Sequence, residues 1–306
     1  ASRGSAAVRH EPGLPPSPAT RAPARAVKAL ATLGAAAVAA LLAACAADAP
    51  VDPASVGPAP RVLVFGEQHD QRDQQRQVAG AVRQLAAAGR LRAVVLEMAE
   101  RGRDTRALAR EAAEADARAA LAWDDAGWPW SHYGPVVMAA VRAGVPVWGG
   151  NLPRAQMRPA MADTALDAGV PPELAARLDA AIRDGHCGLM PEGMGPGMRR
   201  VQLARDRSLA EAVADRLADG PGTVLLLAGA QHASRDRGVP WHLVRDGGAT
   251  AHDLHVVMFD PADAAHRAAP ADHGLVADER RPAAVTPSPD RCAQLRERLQ
   301  RRPATP

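Results

Sequence analysis

The chain has 306 residues, enough for one large domain or two modest ones, and 47% of them are hydrophobic, so a sizeable core is available. Its net charge of +3 overstates how basic the body is. Residues 1–44 hold Arg3, Arg9, Arg21, Arg25 and Lys28 against Glu11, and with that surplus set aside the remainder is slightly acidic. A nucleic-acid surface needs Lys and Arg clustered on the folded part, and only Arg291 to Arg302 is such a run, so nucleic acid is not an expected partner.

Arg21, Arg25 and Lys28 precede an uncharged run from Ala29 to Ala44. A positive start, a short apolar segment and small residues at its end read as an export signal. The run is shorter than the roughly 20 residues of a membrane-spanning helix. It ends Leu42-Ala43-Ala44-Cys45, which resembles the lipobox of bacterial lipoproteins. On that resemblance residues 1–44 are a lipoprotein signal peptide and Cys45 is the lipidated first residue. With Ala46 next, rather than an aspartate, the expected location is the periplasmic face of the outer membrane. Two cysteines remain, Cys187 and Cys292. An oxidising periplasm permits a disulfide between them, and their spacing does not decide it.

Residues 45–60 are a Pro-rich tether. The apolar run Val62-Leu-Val-Phe65, broken by Gly66, predicts a buried strand from Arg61, and Glu67, His69 and Asp70 follow it directly. Gln71 to Ala88 is predicted as a helix with Val78, Val82 and Leu85 on one face, closed by Gly89. Ala93–Leu96 is a second strand that delivers Glu97. Helices are expected over about Thr105–Ala115 and Arg118–Trp123, then over 136–143.

Val145–Trp148 is the third strand, leading to Asn151 and Arg154. Helical sequence resumes at Arg154–Asp167 and Pro172–Arg183. A Gly- and Pro-rich loop from Gly185 to Met198 holds His186, Cys187, Met190 and Met194, and a helix runs from about Arg199 to Leu217. Thr223–Ala228 is the most apolar strand, with His232, Arg235 and Asp236 beyond its end. A last strand is expected near Leu254–Phe259. From 261 to 306 the composition turns to Ala, Pro, Asp and Arg, which reads as a low-complexity, poorly ordered tail with room for a short helix at Arg291–Arg301. Strands alternating with helices predict an α/β domain over 61–260, with a mostly parallel open sheet, helices on both faces and helical insertions.

In such sheets ligands bind outside the carboxyl ends of the strands. Four strand ends here supply Glu67 with His69, Glu97, Asn151 with Arg154, and His232 with Arg235 and Asp236. A single carboxylate in that position is usually a helix cap. Four polar clusters at one edge point to a pocket, because burying charges without partners costs several kcal/mol. As a metal site, His69, His232 and one of Glu67 or Glu97 would be the ligands of a divalent ion such as zinc, with the other glutamate as general base; that describes a metal-dependent hydrolase.

Gly66-Glu67-x-His69-Asp70, Leu96-Glu97-Met98, Trp130-x-x-Tyr133-x-Pro135, Asn151-Leu-Pro-Arg154, His186-Cys187, Gln202-x-x-x-Asp206 and Gly229-x-x-His232-x-x-Arg235-Asp236-x-Gly238-Val239-Pro240 together resemble the ChaN-like family over about residues 60–260. Where members often carry a His pair after the first motif, this chain has Gln74-Gln75. The resemblance implies a haem-binding lipoprotein of iron uptake, related to Tiki-type and erythromycin-esterase-like proteins. It further implies a tyrosinate axial ligand, for which Tyr133 is the sole tyrosine; His186, Cys187 and Met194 are the other candidate haem ligands. Asn151, Arg154, Arg235 and Asp236 are expected to line the pocket. The expected partners are haem or iron and, through the anchor, a membrane; a homodimer remains open.

Overall fold

The computed structural model describes Ala1 and residues 60–262, 274–287 and 289–301. The signal sequence, Cys45 and the tether up to residue 59 therefore lie outside the described residues. Six strands form one sheet: β1 (Val62–Glu67), β2 (Leu91–Glu100), β3 (Val147–Asn151), β4 (Thr223–Gly229), β5 (Leu254–Pro261) and β6 (Glu279–Ala283). Their order is β3-β2-β4-β1-β5-β6, and every pairing is parallel. The α/β class with a parallel open sheet is as the sequence pattern implies.

Near-continuous apolar runs are what a parallel sheet covered on both faces requires. Phe65, Leu96, Leu225 and Leu227 turn to one face, where helices α1 (Arg72–Ala87), α2 (Glu114–Ala120) and α3 (Trp130–Ala143) supply Val78, Val82, Ala117, Tyr133 and Val137. Val62, Val64, Val95, Leu226 and Val256 turn to the other. There α6 (Gly195–Ala218) and α8 (Val239–Arg245) contribute Leu209, Val213 and Leu243. Between these, α4 (Arg154–Ala162), α5 (Pro172–Gly185) and the single-turn α7 (Ala230–Ala233) complete the connections, and α9 (Arg291–Gln300) follows β6.

Three departures from the sequence pattern have physical causes. Residues 105–113 are not helical. Thr105 instead donates its N–H to the Val147 carbonyl (2.9 Å) and accepts from Val147 N–H at Oγ1 (2.9 Å), so this segment covers the exposed edge of β3. Helix α3 begins at Trp130 rather than 136 and carries Pro135 inside it, with Asp125 accepting from the Trp130 N–H (2.7 Å). The buried stripe of Trp130, Tyr133, Val137, Ala140 and Val141 outweighs the backbone bond a helix loses at proline. Helix α6 begins at Gly195 within the expected loop, since Pro196 is tolerated in a first turn.

The tail adds an edge strand that the sequence pattern does not show. Residues 279–283 pair with β5 through Val257↔Glu279 to Pro261↔Ala283, and residues 291–300 are helical. A short strand with alternating polar residues and a proline lacks the apolar run that marks the others, and Pro is tolerated on an edge strand. Asp290 caps α9, accepting from Cys292 and Ala293 N–H. Cys292 is joined to Cys187 by a disulfide spanning 105 residues of sequence.

No residue of α9 is buried, so the disulfide is its principal tie to the body. A loop of that length limits the denatured chain by up to about 5 kcal/mol on a chain-entropy basis. Reduction, or Cys187→Ser, is expected to lower the unfolding free energy by about 2–4 kcal/mol. It should also render the residues after 287 sensitive to protease while the sheet stays intact. Chemical denaturation with and without reductant, followed by limited proteolysis, checks both outcomes.

Candidate functional site

Glu67 is the last residue of β1, and Gly66 before it lets the strand pass close to α7: a Cβ there would stand 2.7 Å from the Ala233 Cβ. The Glu67 carboxylate is buried and fully engaged. Its Oε1 accepts from the Tyr133 hydroxyl (2.9 Å) and lies 2.7 Å from His69 Nδ1, while Oε2 accepts from the Gln75 amide. Gln75 thus orients the carboxylate. The His69 ring is half-exposed and packs edge-on against Trp128, centroids 4.7 Å apart. Burial opposes a charge on His69, but the hydrogen bond to Glu67 and the charges of Glu97 and Glu67 outweigh it, so its pKa is raised.

Glu97, near the end of β2, forms the second centre. Its Oε2 accepts from the Gly229 N–H (2.7 Å), its Oε1 accepts from Arg205 Nη2 (2.5 Å), and His232 Nε2 lies 3.3 Å from Oε1. The other His232 nitrogen, Nδ1, lies 2.6 Å from Asp206 Oδ1 and 2.9 Å from the Gln202 amide. A histidine between two carboxylates holds a proton against the cost of burial. Burial alone would lower its pKa, yet Glu97 and Asp206 push it up to about 9. Reciprocally, burial would raise the Glu97 carboxyl, but His232, His69 and Arg205 hold it well below its usual range.

The two centres touch. A Cβ on Gly229 would stand 2.9 Å from His69 Nε2 and 3.4 Å from Glu97 Oε2, so only glycine fits between them. Asn151, at the end of β3, ties Arg205 in place: its Oδ1 accepts from Arg205 Nε (3.0 Å) and its Nδ2 donates to the Glu97 carbonyl (2.8 Å).

Outside the ends of β2 and β3 this network forms the floor of a crevice of about 580 Å³. Glu97, Asn151 and Arg205 lie on the polar side, and Met98, Leu121, Trp128, Leu152 and Met157 give it apolar walls. Arg103 and Arg154 also line it. A mixed surface of this kind suits a largely apolar ligand with a few charged groups.

Glu67, His69, Glu97 and His232 are therefore brought together; of the four, Glu97 lines the crevice, with Asn151 and Arg154, and His69 adjoins it through Trp128. Arg235 and Asp236 are not part of it. Arg235 donates to the carbonyls of Ala251 (2.6 Å) and Leu254 (3.1 Å) and pairs with Asp278. Asp236 accepts from Ser234 (2.6 Å) and Arg237 (3.0 Å) and faces Arg177 at 3.4 Å. Both fix the chain after α7 rather than a ligand.

The candidate haem ligands lie in different surroundings. Tyr133 is fully buried, and burial followed by the Glu67 charge pushes its phenol far above the usual range, so it is a neutral donor to Glu67 and not a tyrosinate. Cys187 is in the disulfide. His186 lies 2.7 Å from the Ile182 carbonyl at the end of α5. Met194 immediately precedes α6, roughly 16 Å of helical rise before Arg205.

Both nitrogens of His232 face carboxylates, and among the described residues no three His, Cys, Asp or Glu side chains are arranged to hold a metal ion. Arg205 and Asp206 were not singled out as site residues, although Gln202, Arg205 and Asp206 recur at the spacing of one helix face.

A family model described as haem-binding uptake, Tiki superfamily, ChaN matches residues 58–243. No curated protein matches the chain. Among solved structures, one describing cofacial haem binding to ChaN of Campylobacter jejuni aligns with a TM-score of 0.52 and 23% identity, covering 68% of this chain and 84% of that one. That likeness is one of fold. The type III effector HopBA1 aligns with a TM-score of 0.39 and 16% identity over 74% of this chain and 88% of its own. A Bacillus cereus protein aligns at 0.40 and 12% over 70% and 69%.

A pH dependence follows from the His232 proton. A pKa of about 9 in the folded chain, against about 6.5 unfolded, gives stabilisation that is complete below pH 6.5 and is lost as pH rises through 9. The linkage amounts to about 3 kcal/mol. Denaturation at pH 6.5 and pH 9.5 is expected to show that decline, and His232→Gln should flatten it.

Proposed function

The chain belongs to the family described as haem-binding uptake, Tiki superfamily, ChaN, and from that membership we propose that it binds haem in the crevice outside the ends of β2 and β3. The observation that carries this reading is the crevice wall itself. Trp128, Leu121, Leu152 and Met157 offer an apolar, partly aromatic surface, while arginines line the same space. At about 580 Å³ it falls within the range of about 300–1,000 Å³ usual for cofactor pockets.

His69, which adjoins the crevice through Trp128, would be the imidazole to hold the iron of a bound haem. Its Nδ1 is held by Glu67, and its Nε2 has no hydrogen-bond partner among the described residues. A carboxylate on one ring nitrogen fixes the orientation and raises the basicity of the other. His232 faces a carboxylate at each ring nitrogen and Tyr133 is buried, which favours His69 over either. Glu67 thus acts as a positioning residue for His69, and Gln75 and Tyr133 position Glu67 in turn.

The sequence around Cys45 supports the rest of the reading: an exported protein, acylated at Cys45, held at the periplasmic face of the outer membrane and serving iron or haem uptake. Two or more acyl chains give stable attachment to a bilayer. Labelling with a fatty acid in cells is expected to mark the chain and to fail for Cys45→Ala.

Addition of hemin to the purified protein is expected to shift the Soret band away from that of free hemin. His69→Ala should move the band of the complex, while Tyr133→Phe should leave it in place. A free-hemin spectrum in the wild-type protein would contradict the proposal, and a band lost only in Tyr133→Phe would contradict the assignment of His69.

A further inference from the structure

The charged groups lining the crevice divide into those already satisfied and those that are not. Glu97 and Arg205 are paired with each other and with Asn151, His232 and the Gly229 N–H. Glu100 accepts from the Arg154 backbone N–H (2.9 Å), and Asp124 accepts from the N–H groups of Ala126 (3.2 Å) and Gly127 (3.3 Å). Arg103 and Arg154 remain. Both line the crevice, both are exposed, and neither guanidinium has a hydrogen bond or ion pair to any described residue.

Their backbones, in contrast, are fixed. The Arg103 carbonyl accepts from Gly149 N–H (2.8 Å) and its N–H donates to the Glu100 carbonyl (3.2 Å), which anchors it across the end of the sheet. Arg154 opens α4 with its N–H on Glu100. Two cations are thus carried on backbone anchored to one residue, Glu100, beside a crevice with apolar walls.

Guanidinium groups match carboxylates in planar, two-bond geometry. A ligand suited to this arrangement has an apolar body and two carboxylate arms at one edge. We propose that Arg103 and Arg154 form a clamp for the two propionates of haem and so set which edge of the macrocycle faces solvent. This rests on the haem reading above and adds to it a recognition element independent of the iron.

Because both arginines are exposed, each contact is worth the modest amount of a solvent-screened pair, about 3-fold in affinity. The pair together is worth about 10-fold. Clamping by charge also weakens as salt rises, whereas burial of the macrocycle does not.

The test uses the full chain and two probes, hemin and hemin dimethyl ester, whose propionates are esterified. Wild-type protein is expected to bind hemin about 10-fold more tightly than the ester, with the difference shrinking as salt is raised. In the Arg103→Gln/Arg154→Gln double variant the two affinities should converge on that of the ester, and the lysine pair should recover part of the gap. Circular dichroism checks that the variants are folded. Equal binding of both probes by the wild type would overturn the clamp and leave haem binding standing. A preference for hemin that survives in the double variant would overturn it as well. Failure to bind either probe would overturn the haem reading, and the clamp with it.

Discussion

The structure depends on the way one buried carboxylate is neutralised. Glu97 sits at the end of a central strand with almost no contact with solvent, and an unpaired charge there would be strongly destabilising. It is balanced by groups from three other parts of the chain: Arg205 from α6, the Gly229 N–H from the end of β4, and His232 from α7. His232 in turn needs Asp206 on its far side. The result is a chain of charges, guanidinium, carboxylate, imidazolium and carboxylate, that joins β2, β4, α6 and α7. The same groups that hold these elements in register form the polar floor of the crevice.

That arrangement explains why a parallel sheet can carry so much charge at one edge. The two carboxylates at the strand ends are each satisfied by neighbours from different elements, and the desolvation cost is spread over a connected network. The second centre, Glu67 with Tyr133, Gln75 and His69, uses the same device but leaves one imidazole nitrogen open. The two carboxylates therefore serve different ends. Glu97 closes a structural network, and Glu67 orients a ring that still has something to offer a ligand.

Much of this was legible in the sequence. Apolar runs ending in Gly66-Glu67, Leu96-Glu97, Gly150-Asn151 and Gly229 announce both the strands and the residues they deliver, because a parallel strand buried on both faces has no other composition open to it. What pattern does not reveal is which long-range partner each polar group takes. Arg205 was hidden in a helix whose polar residues face inward to the crevice as well as outward to water. Arg235 and Asp236 follow a strand end as closely as His232 does, yet the chain turns after α7 and spends them on Leu254, Asp278 and Arg237. The disulfide and β6 were unreadable for a related reason: Cys292 and Glu279–Ala283 acquire meaning only from elements far back in the chain.

The central claim is that His232 is held as an imidazolium between Glu97 and Asp206, and NMR titration of its ring nitrogens tests this most directly. The account predicts a midpoint near pH 9 that moves down toward the ordinary histidine value in Glu97→Gln. A ring that in the folded protein loses its proton at or below about 6.5 would show that the two carboxylates do not hold it, and the network described here would not be the one that builds the crevice.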